Sequence, residues 1–162
     1  MDLSLDVEEY RLNIRAGAVI IHNNKVLVHR DINKDHCCLP GGRVEIGETS
    51  EKTIKREIKE ELGKDIKIIK YITTIENFFE MDNKKYHEIY FLYKIEFMDE
   101  KDQKIEYKMH NAEGKDYLQY EWIDLKQIDN YNLLPICLKN ILKVQEVPPH
   151  IINEDIINNK NK

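Results

Sequence analysis

Three glutamates lie close together in a segment that the sequence predicts to be helical. Successive residues of an α-helix turn by about 100°, so with Glu57 at zero, Glu61 falls at about +40° and Glu60 at about −60°. Ile54 and Ile58 fall at about +60° and +100°, so this acidic ridge (Glu57, Glu60 and Glu61) borders the apolar face of the helix. Crowded carboxylates raise one another's pKa unless a cation lies between them. Hard oxygen ligands of this kind suit Mg²⁺ or Mn²⁺.

The loop before this helix offers further groups for a metal or a phosphate. Gly41 and Gly42 carry no side chain, so the backbone can approach a ligand closely, and their carbonyl groups are hard oxygen ligands. Glu48 stands just before the helix, within reach of Arg56, and a half-buried carboxylate needs such a partner. The segment therefore predicts a cation site built from a loop and a helix.

From Gly42 to Gly63 the residues resemble the Nudix box, Gly-x5-Glu-x7-Arg-Glu-apolar-x-Glu-Glu-x-Gly-apolar. The match has no gap and one departure, Lys64 at the final apolar position, which packs rather than reacts. The box requires seven identical residues. At an average usage of about 6–7% for each, a random window matches about once in 10⁸. The Glu- and Lys-rich composition of this chain makes a chance match about tenfold to a hundredfold more frequent. A solvated charged helix behind a glycine turn is the competing interpretation, and it requires neither this spacing nor the two glycines.

The resemblance implies an activity and a set of metal ligands. Proteins of this family split NDP-X, a nucleoside diphosphate linked to a group X, into NMP and P-X, with Mg²⁺ or Mn²⁺ as cofactor. By similarity, Glu57 and Glu61 hold the cation, with the carbonyl of Gly42 as a further ligand. Glu60 is expected to add a ligand or to orient and deprotonate the attacking water, although the glutamate that acts as base varies across the family.

The resemblance also assigns supporting roles. Arg56 is expected to pair with Glu48 and to fix the carboxylates of the helix, while Gly41 and Gly63 support the loop and the helix end. Some family members recruit one more carboxylate from downstream, and the candidates here, each weighed against an ordinary surface acid, are Glu113, Asp116 and Glu88.

The identity of the substrate is left open. A nucleobase needs an aromatic platform, and the aromatic candidates, weighed against ordinary core positions, are Phe78, Phe79, Tyr86, Tyr90 and Tyr117. Family members that act on ADP-ribose often carry a proline about sixteen residues past the box, and those that act on dinucleoside polyphosphates a tyrosine. This chain has Phe79-Glu80-Met81 there, which matches neither marker. We therefore expect a small-molecule nucleotide containing a diphosphate.

The elements that position these residues follow from hydrophobic periodicity. Thr49 to Leu62 is predicted as a helix with Thr49 as its N-cap and Gly63 just past its end. Ile14 to Arg30 is predicted as a hairpin that turns at His22-Asn23-Asn24. Further strands are predicted at 66–75, 86–97 and 120–123, and helices at 125–128 and 134–144.

This order of elements predicts an α/β fold, which the resemblance specifies as a Nudix-type α/β/α sandwich with a mixed β-sheet. We expect a single domain over residues 1–149. Residues 150–162 are rich in Asn and Lys, and we expect them to form a polar, loosely ordered C-terminal tail.

Composition narrows the class of protein. With 162 residues and a net charge of −5, the chain is large enough for one packed core and lacks the basic stripe of a general nucleic-acid binder. The N-terminus has no apolar signal-peptide region and no segment is long enough to span a membrane, so we expect a cytoplasmic protein without a membrane partner. A homodimer stays open.

Two rival interpretations remain. A non-catalytic Nudix-fold module that binds a nucleotide or regulates a partner would typically have lost glutamates of the box, whereas here all of them are present. Isopentenyl-diphosphate isomerases share the fold and use a catalytic cysteine, which Cys37-Cys38 near the glycine loop could supply. The odd count of three cysteines, however, fits reduced and buried side chains without a disulfide framework.

Overall fold

The structure, a computed structural model, describes residues 1–102, 109–110 and 113–155. A short 3-10 helix spans Leu125–Asn130. The strands and α-helices are β1 (Ser4–Val7), β2 (Tyr10–Val19), β3 (Ile21–His22), β4 (Lys25–Asp31), β5 (Gly41–Arg43), α1 (Ser50–Leu62), β6 (Ile66–Met81), β7 (Lys84–Phe97), β8 (Met109–His110), β9 (Leu118–Asp124), α2 (Leu138–Ile141) and β10 (His150–Glu154).

The strands form one mixed sheet and one antiparallel sheet. The mixed sheet has the order β1-β2-β7-β6-β10, and β5 pairs with residues 15–17 of β2. Strands β2 and β7 are parallel, as are β6 and β10, while β6 and β7 form a long antiparallel hairpin. The second sheet has the order β3-β4-β9-β8. Since β2 pairs with both β7 and β5, it joins the glycine loop to the centre of the mixed sheet.

Helices cover both faces of the sheets. Ile54 and Ile58 of α1 pack in a buried cluster with Ala16 and Ala18 of β2. The alternate residues of β2 face the other side of the sheet. A second buried cluster on that side contains Val19 with Leu138 and Ile141 of α2. The period of two along β2 therefore separates two cores. This arrangement confirms the predicted α/β/α sandwich with a mixed sheet.

Helix α1 begins and ends where its capping residues predict. The Thr49 hydroxyl accepts a hydrogen bond from the Lys52 backbone N–H at 3.3 Å. Gly63 adopts a left-handed φ of 68°, and its N–H donates to the Lys59 carbonyl. These two caps set the length of the helix, and thus the position of the acidic ridge along it.

The predicted hairpin from Ile14 to Arg30 is wrong in its pairing. Strand β2 joins the mixed sheet beside β7, and β4 pairs with the two-residue strand β3 in the other sheet. The turn itself is confirmed, because Asn23 and Asn24 have positive φ values of 48° and 61°. The sequence marks the turn through residues that tolerate this conformation, whereas the partner of β2 lies far along the chain.

The expected C-terminal tail also needs correction at its start. Residues His150–Glu154 form β10, which pairs in parallel with β6, and the Thr74 N–H donates to the Pro149 carbonyl just before it. Parallel pairing to a distant strand satisfies the backbone of this polar segment, although its composition resembles a loop. The rest of the expected tail, residues 156–162, lies outside the described residues.

The two predicted C-terminal helices are shorter or tighter than expected. The first is the 3-10 helix, whose N-cap Asp124 accepts a hydrogen bond from the Lys126 N–H at 2.9 Å. Within the predicted 134–144 helix, only α2 is α-helical, since the turn before it closes through a bond from the Leu138 N–H to the Pro135 carbonyl. None of the helices in the described ranges combines the length and apolar character needed to cross a bilayer.

Candidate active site

The acidic ridge lies on α1 at the border between core and solvent. The side chain of Glu61 is 8% exposed, that of Glu57 is 17% exposed and that of Glu60 is 45% exposed. This gradient follows the predicted angles, because Glu61 is next to the apolar stripe and Glu60 is farthest from it. The ridge therefore presents one buried, one half-buried and one accessible carboxylate.

Arg56 links the ridge to the loop before the helix. Its Nε donates to Glu48 Oε1 at 3.0 Å and its Nη2 donates to Glu48 Oε2 at 2.9 Å, so the predicted pairing is present and bidentate. Its Nη1 donates to Glu57 Oε1 at 2.8 Å and to Glu60 Oε2 at 3.2 Å. Nη2 also donates to the Arg43 carbonyl at 3.1 Å. One guanidinium thus ties the glycine loop, Glu48 and two ridge carboxylates together.

The glycine loop passes directly against the ridge. The Gly41 N–H donates to Glu61 Oε2 at 3.2 Å. A Cβ atom at Gly42 would lie 2.2 Å from the carboxyl carbon of Glu57, so only glycine leaves room for that carboxylate. At Gly41, where φ is 139°, a Cβ would lie 2.2 Å from the Ala16 carbonyl oxygen in β2. Close approach of backbone to carboxylate therefore requires both glycines.

Burial and charge divide the glutamates into two kinds. Burial, followed by the charge of Glu57, raises the pKa of Glu61 to about 8. Burial also raises the pKa of Glu57. In contrast, the hydrogen bonds from Arg56 lower the pKa of Glu48 to about 2. Glu48 is thus an anion at neutral pH, while at Glu57 and Glu61 burial outweighs the nearby guanidinium charges and disfavours the ionised form.

The donor set fits a hard divalent cation. The ridge and the loop carbonyls supply only oxygen ligands, and the space at Gly42 lies beside Glu57. Within the described part of the chain, no group of three His, Cys, Asp or Glu side chains already converges on a common point. The reason is visible in the contacts, because Glu57 and Glu60 are hydrogen-bonded to Arg56 and Glu61 to the Gly41 N–H.

The three candidates for an additional carboxylate lie in different places. Glu113 pairs with Lys115 at 2.5 Å, and its charge contributes to the raised pKa of Glu61, so it lies within electrostatic reach of the ridge. Asp116 is exposed in the turn before β9. Glu88 is 4% exposed in the centre of the mixed sheet, where it accepts a hydrogen bond from Asn77 Nδ2 at 3.2 Å.

The aromatic candidates are mostly paired with one another or buried. Tyr90 is 5% exposed, and a Cβ at Gly17 would lie 2.0 Å from its hydroxyl oxygen. Phe79 stacks on Tyr86 with ring centroids 4.6 Å apart. Phe78 packs against His87, and Tyr117 is 44% exposed. Tyr90 is therefore a core residue rather than an accessible platform for a base.

The sequence did not identify two residues beside the ridge. His29 of β4 has its Nδ1 at 4.0 Å from Glu61 Oε1. Burial, followed by the charges of Arg15 and His36, lowers the pKa of His29 to about 4, so this imidazole is neutral. Arg15 of β2 is the second, and its charge also acts on Glu57 and Glu61. Arg15 could have been noticed in the sequence because it is a charged residue inside the apolar run 14–21. His29, near the end of a strand, has no comparable sequence signal.

The three cysteines are free and hold their protons. Burial raises the pKa of Cys37 to about 11 and that of Cys137 to about 12, and it also raises the pKa of Cys38. A thiol is a nucleophile only as the thiolate. The structure therefore disfavours the cysteine chemistry on which the isomerase interpretation depends.

The family model of the NUDIX domain matches residues 11–143 of the chain. The chain belongs to the NUDIX family. Over an alignment of 65 positions, which covers 36% of this NUDIX protein, it is 42% identical to the ADP-ribose pyrophosphatase of Methanocaldococcus jannaschii, of which 38% is covered. Over an alignment of 57 positions, which covers 33% of the chain, it is 35% identical to the 8-oxo-dGTP diphosphatase of Escherichia coli (strain K12), of which 44% is covered. The chain thus matches less than half the length of either relative.

A solved structure shows the same fold for the NUDIX protein. The MutT protein from Methanosarcina mazei Go1 superposes with a TM-score of 0.61 at 20% sequence identity, covering 85% of this chain and 94% of that one. The likeness covers more of the chain than the short stretches matched in sequence.

Proposed function

We propose that this NUDIX protein is a divalent-metal-dependent pyrophosphohydrolase that cleaves the phosphoanhydride of a nucleoside diphosphate linked to X, giving NMP and P-X. The observation that carries the proposal is the intact acidic ridge against the Gly41-Gly42 loop, fixed there by Arg56. The two named relatives support it, since ADP-ribose pyrophosphatase and 8-oxo-dGTP diphosphatase both act on nucleotide phosphoanhydrides.

Each residue has a role in this reaction. Glu57 and Glu61, with the Gly42 carbonyl, would hold Mg²⁺ or Mn²⁺. When bound, the cation neutralises the diphosphate and helps to activate the attacking water. Glu60 has the most exposed carboxylate of the ridge, and we assign it the proton of that water. Arg56 positions Glu57 and Glu60 by hydrogen bonds.

Charge explains why the reaction needs the cation. The chain has a net charge of −5, and the substrate is an anion. Two ridge carboxylates have raised pKa values because burial and mutual repulsion oppose their ionised forms. At the ridge, Glu57 and Glu61 would be ionised more readily beside a divalent ion, whose charge would also attract the phosphate groups.

The alternative is a NUDIX-fold module that binds a nucleotide without hydrolysing it. Such a module has no use for three carboxylates on one helix face, because each one repels an anionic ligand. The arrangement of charges favours the hydrolase.

A screen of nucleoside diphosphate derivatives tests the proposal. Purified protein is incubated with ADP-ribose, nucleotide sugars, dinucleoside polyphosphates and nucleoside triphosphates, each with an excess of Mg²⁺ or with excess EDTA. We expect NMP release from at least one compound with Mg²⁺ and none with EDTA. Nucleotide binding without turnover of any compound would favour the non-catalytic module, and full turnover in EDTA would exclude the metal-dependent mechanism.

A further inference from the structure

Arg15 is a charged side chain whose hydrogen-bonding groups are unmatched. A guanidinium carries five N–H donors and a permanent positive charge. The Nε of Arg15 has no contact with solvent and no hydrogen-bond partner. Across residues 1–102, 109–110 and 113–155, no carboxylate lies within 4.0 Å of this guanidinium. Because a guanidinium with a buried and unpartnered Nε is unfavourable, the unmatched donor points to a ligand.

The register of β2 places Arg15 next to the acidic ridge. Arg15 pairs with Arg43 of β5, and the next two residues of β2 pair with Gly42 and Gly41. The ridge carboxylates contact those same glycines. The charge of Arg15 acts on both Glu57 and Glu61, so the guanidinium lies within electrostatic reach of the ridge. The residue is half-buried, so the space beside it is open in part to solvent.

A row of polar residues fixes Glu88, the acidic residue that acts most strongly on the pKa of Arg15. Five residues are in register across β1, β2, β7, β6 and β10, and they are Ser4, Asn13, Glu88, Asn77 and Asn153. Ser4 Oγ donates to Asn13 at 2.7 Å, Asn153 Nδ2 donates to Asn77 at 2.8 Å, and Asn77 Nδ2 donates to Glu88 at 3.2 Å. We name these residues the polar row. Glu88 is thus fixed inside the sheet instead of forming a bidentate pair with Arg15.

The surroundings keep Arg15 charged without occupying its donors. Desolvation opposes the charge, but the neighbouring Glu88, and then Tyr90, Cys38 and Glu61, hold the pKa of Arg15 above its ordinary value. The neutral His29 and the protonated Cys38 thiol offer no competing anion. A second anion of suitable geometry, with two oxygens on one centre, would match the free fork of the guanidinium.

We propose that Arg15 is a substrate-binding residue that donates to the non-bridging oxygens of the diphosphate group of the substrate. This inference rests on the proposed function and assigns to the same site a contact outside the segment from Gly42 to Gly63. The ridge would face one side of the diphosphate through the cation and Arg15 the other. The site then selects substrates with two adjacent phosphates, because both positive charges must be matched together.

Binding of methylenediphosphonate, a diphosphate analogue that cannot be hydrolysed, tests the inference directly. Its Kd is measured by calorimetry with Mg²⁺ for the wild type, Arg15→Gln and Arg15→Lys. We expect Arg15→Gln to raise the Kd at least tenfold. Arg15→Lys keeps the charge but loses the fork, so we expect an intermediate Kd. Should Arg15→Gln fail to fold, the Arg15→Lys result decides, and a wild-type Kd in that variant would overturn the proposal.

Arg11→Gln is the matched control. Arg11 is on the same strand and the same face, but its Nε already donates to Asp6 at 3.0 Å. We expect Arg11→Gln to change the Kd less than twofold. The affinity for Mn²⁺ alone, measured by electron paramagnetic resonance, should stay within threefold of wild type in Arg15→Gln. Parallel losses of Mn²⁺ and analogue affinity would mean that Arg15 supports only the ridge, which would overturn the inference.

The two proposals fail in different ways. If wild-type protein turns over no NDP-X compound but binds methylenediphosphonate through Arg15, the hydrolase proposal fails and the anion site stands. If it turns over a substrate and Arg15→Gln leaves both KM and the analogue Kd unchanged, the reverse holds. A rise in KM of tenfold or more with kcat reduced less than tenfold is the kinetic signature that we expect of Arg15→Gln.

Discussion

At the scale of single residues, Arg56 is the centre of the candidate site. It forms a bidentate pair with Glu48 and reaches two carboxylates of the ridge and one loop carbonyl. The Glu48 side chain also accepts hydrogen bonds from the Thr53 hydroxyl at 2.8 Å and the Glu45 N–H at 3.3 Å. Glu48 therefore holds Arg56 in place, and Arg56 orients the ridge.

This network predicts a pH-dependent loss of stability on removing the charge of Glu48. The folded protein holds the pKa of Glu48 at about 2, below the ordinary value of 4.5, because of the hydrogen bonds from Arg56. A lowered folded pKa stabilises the fold above the unfolded pKa, and this contribution is lost as the pH falls from 4.5 towards 2. We expect Glu48→Gln to reduce the free energy of unfolding by about 1–3 kcal/mol at pH 7.

Urea unfolding of both proteins at pH 7, 5 and 4 measures this difference. The difference in the free energy of unfolding between the two proteins should be largest at pH 7 and smaller at pH 4. The exposed Glu51→Gln is the control and should change stability by less than about 0.5 kcal/mol at each pH. Equal stability of Glu48→Gln and wild type at pH 7 would mean that the pair with Arg56 is not a structural support.

The sequence predicted the residues of the box better than those outside it. Glu57, Glu60 and Glu61 could be placed on one face because a helix has a fixed angle per residue. Arg15 and His29 could not be placed beside them, since their approach depends on which strands pair. Glu88 was one candidate for an additional carboxylate, and its place in the polar row depends on strand pairing that the sequence does not reveal.

At the scale of elements, the glycine loop determines how closely backbone and carboxylates approach. Its two glycines meet different neighbours, because a Cβ at Gly41 would strike the backbone of Ala16 and a Cβ at Gly42 would strike the flexible end of Glu57. Glycine is therefore required at position 41 for the backbone fold and at position 42 for the placement of the Glu57 carboxylate.

Alanine substitutions should separate these reasons. Gly41→Ala forces backbone atoms apart at a φ of 139°, so we expect it to lower stability by about 2 kcal/mol or more. Gly42→Ala should change stability less but lower kcat/KM at least tenfold, because the Glu57 carboxylate must move. Gly47→Ala, at a φ of 81° with open space around it, is the control for conformational strain alone. A Gly42→Ala variant with full activity would refute the role of that space.

Element boundaries were predicted well where the signal is local. The N-cap and C-cap of α1 and the turn at Asn23-Asn24 depend on neighbouring residues. The pairing of β2 with β7 and of β10 with β6 depends on contacts between distant segments. The polar composition of residues 150–154 resembles that of a loop. Their parallel pairing with β6 nevertheless makes them a strand.

At the scale of the whole molecule, two cores brace β2 between the helical layers. One cluster fixes α1 and the ridge, and the other includes β7 and α2. The site lies where these layers meet, so residues from β2, β4, β5 and α1 face one another. A metal that binds only this folded arrangement should stabilise the molecule as a whole.

Metal binding should therefore raise the melting temperature. At a Mn²⁺ concentration about a hundredfold above its Kd, linkage predicts about 2.7 kcal/mol of added stability, or about 5–10 °C for a domain of this size. Differential scanning fluorimetry with Mn²⁺ and with EDTA measures the shift. The double variant Glu57→Gln/Glu61→Gln should lose it, and an equal shift in that variant would place the metal elsewhere.

The central claim is that the acidic ridge performs the chemistry, and kcat together with melting temperature in three matched variants tests it most directly. Glu57→Gln and Glu61→Gln remove one charge each at nearly constant shape, whereas Glu51→Gln does so at an exposed position on the same helix. On a substrate identified by the screen, we predict that the first two lower kcat by about 10²–10⁴ without a lower melting temperature in EDTA, because each has a raised pKa when folded. Glu51→Gln should keep wild-type kcat. If all three variants behave alike, the ridge is an ordinary charged surface and the account is contradicted.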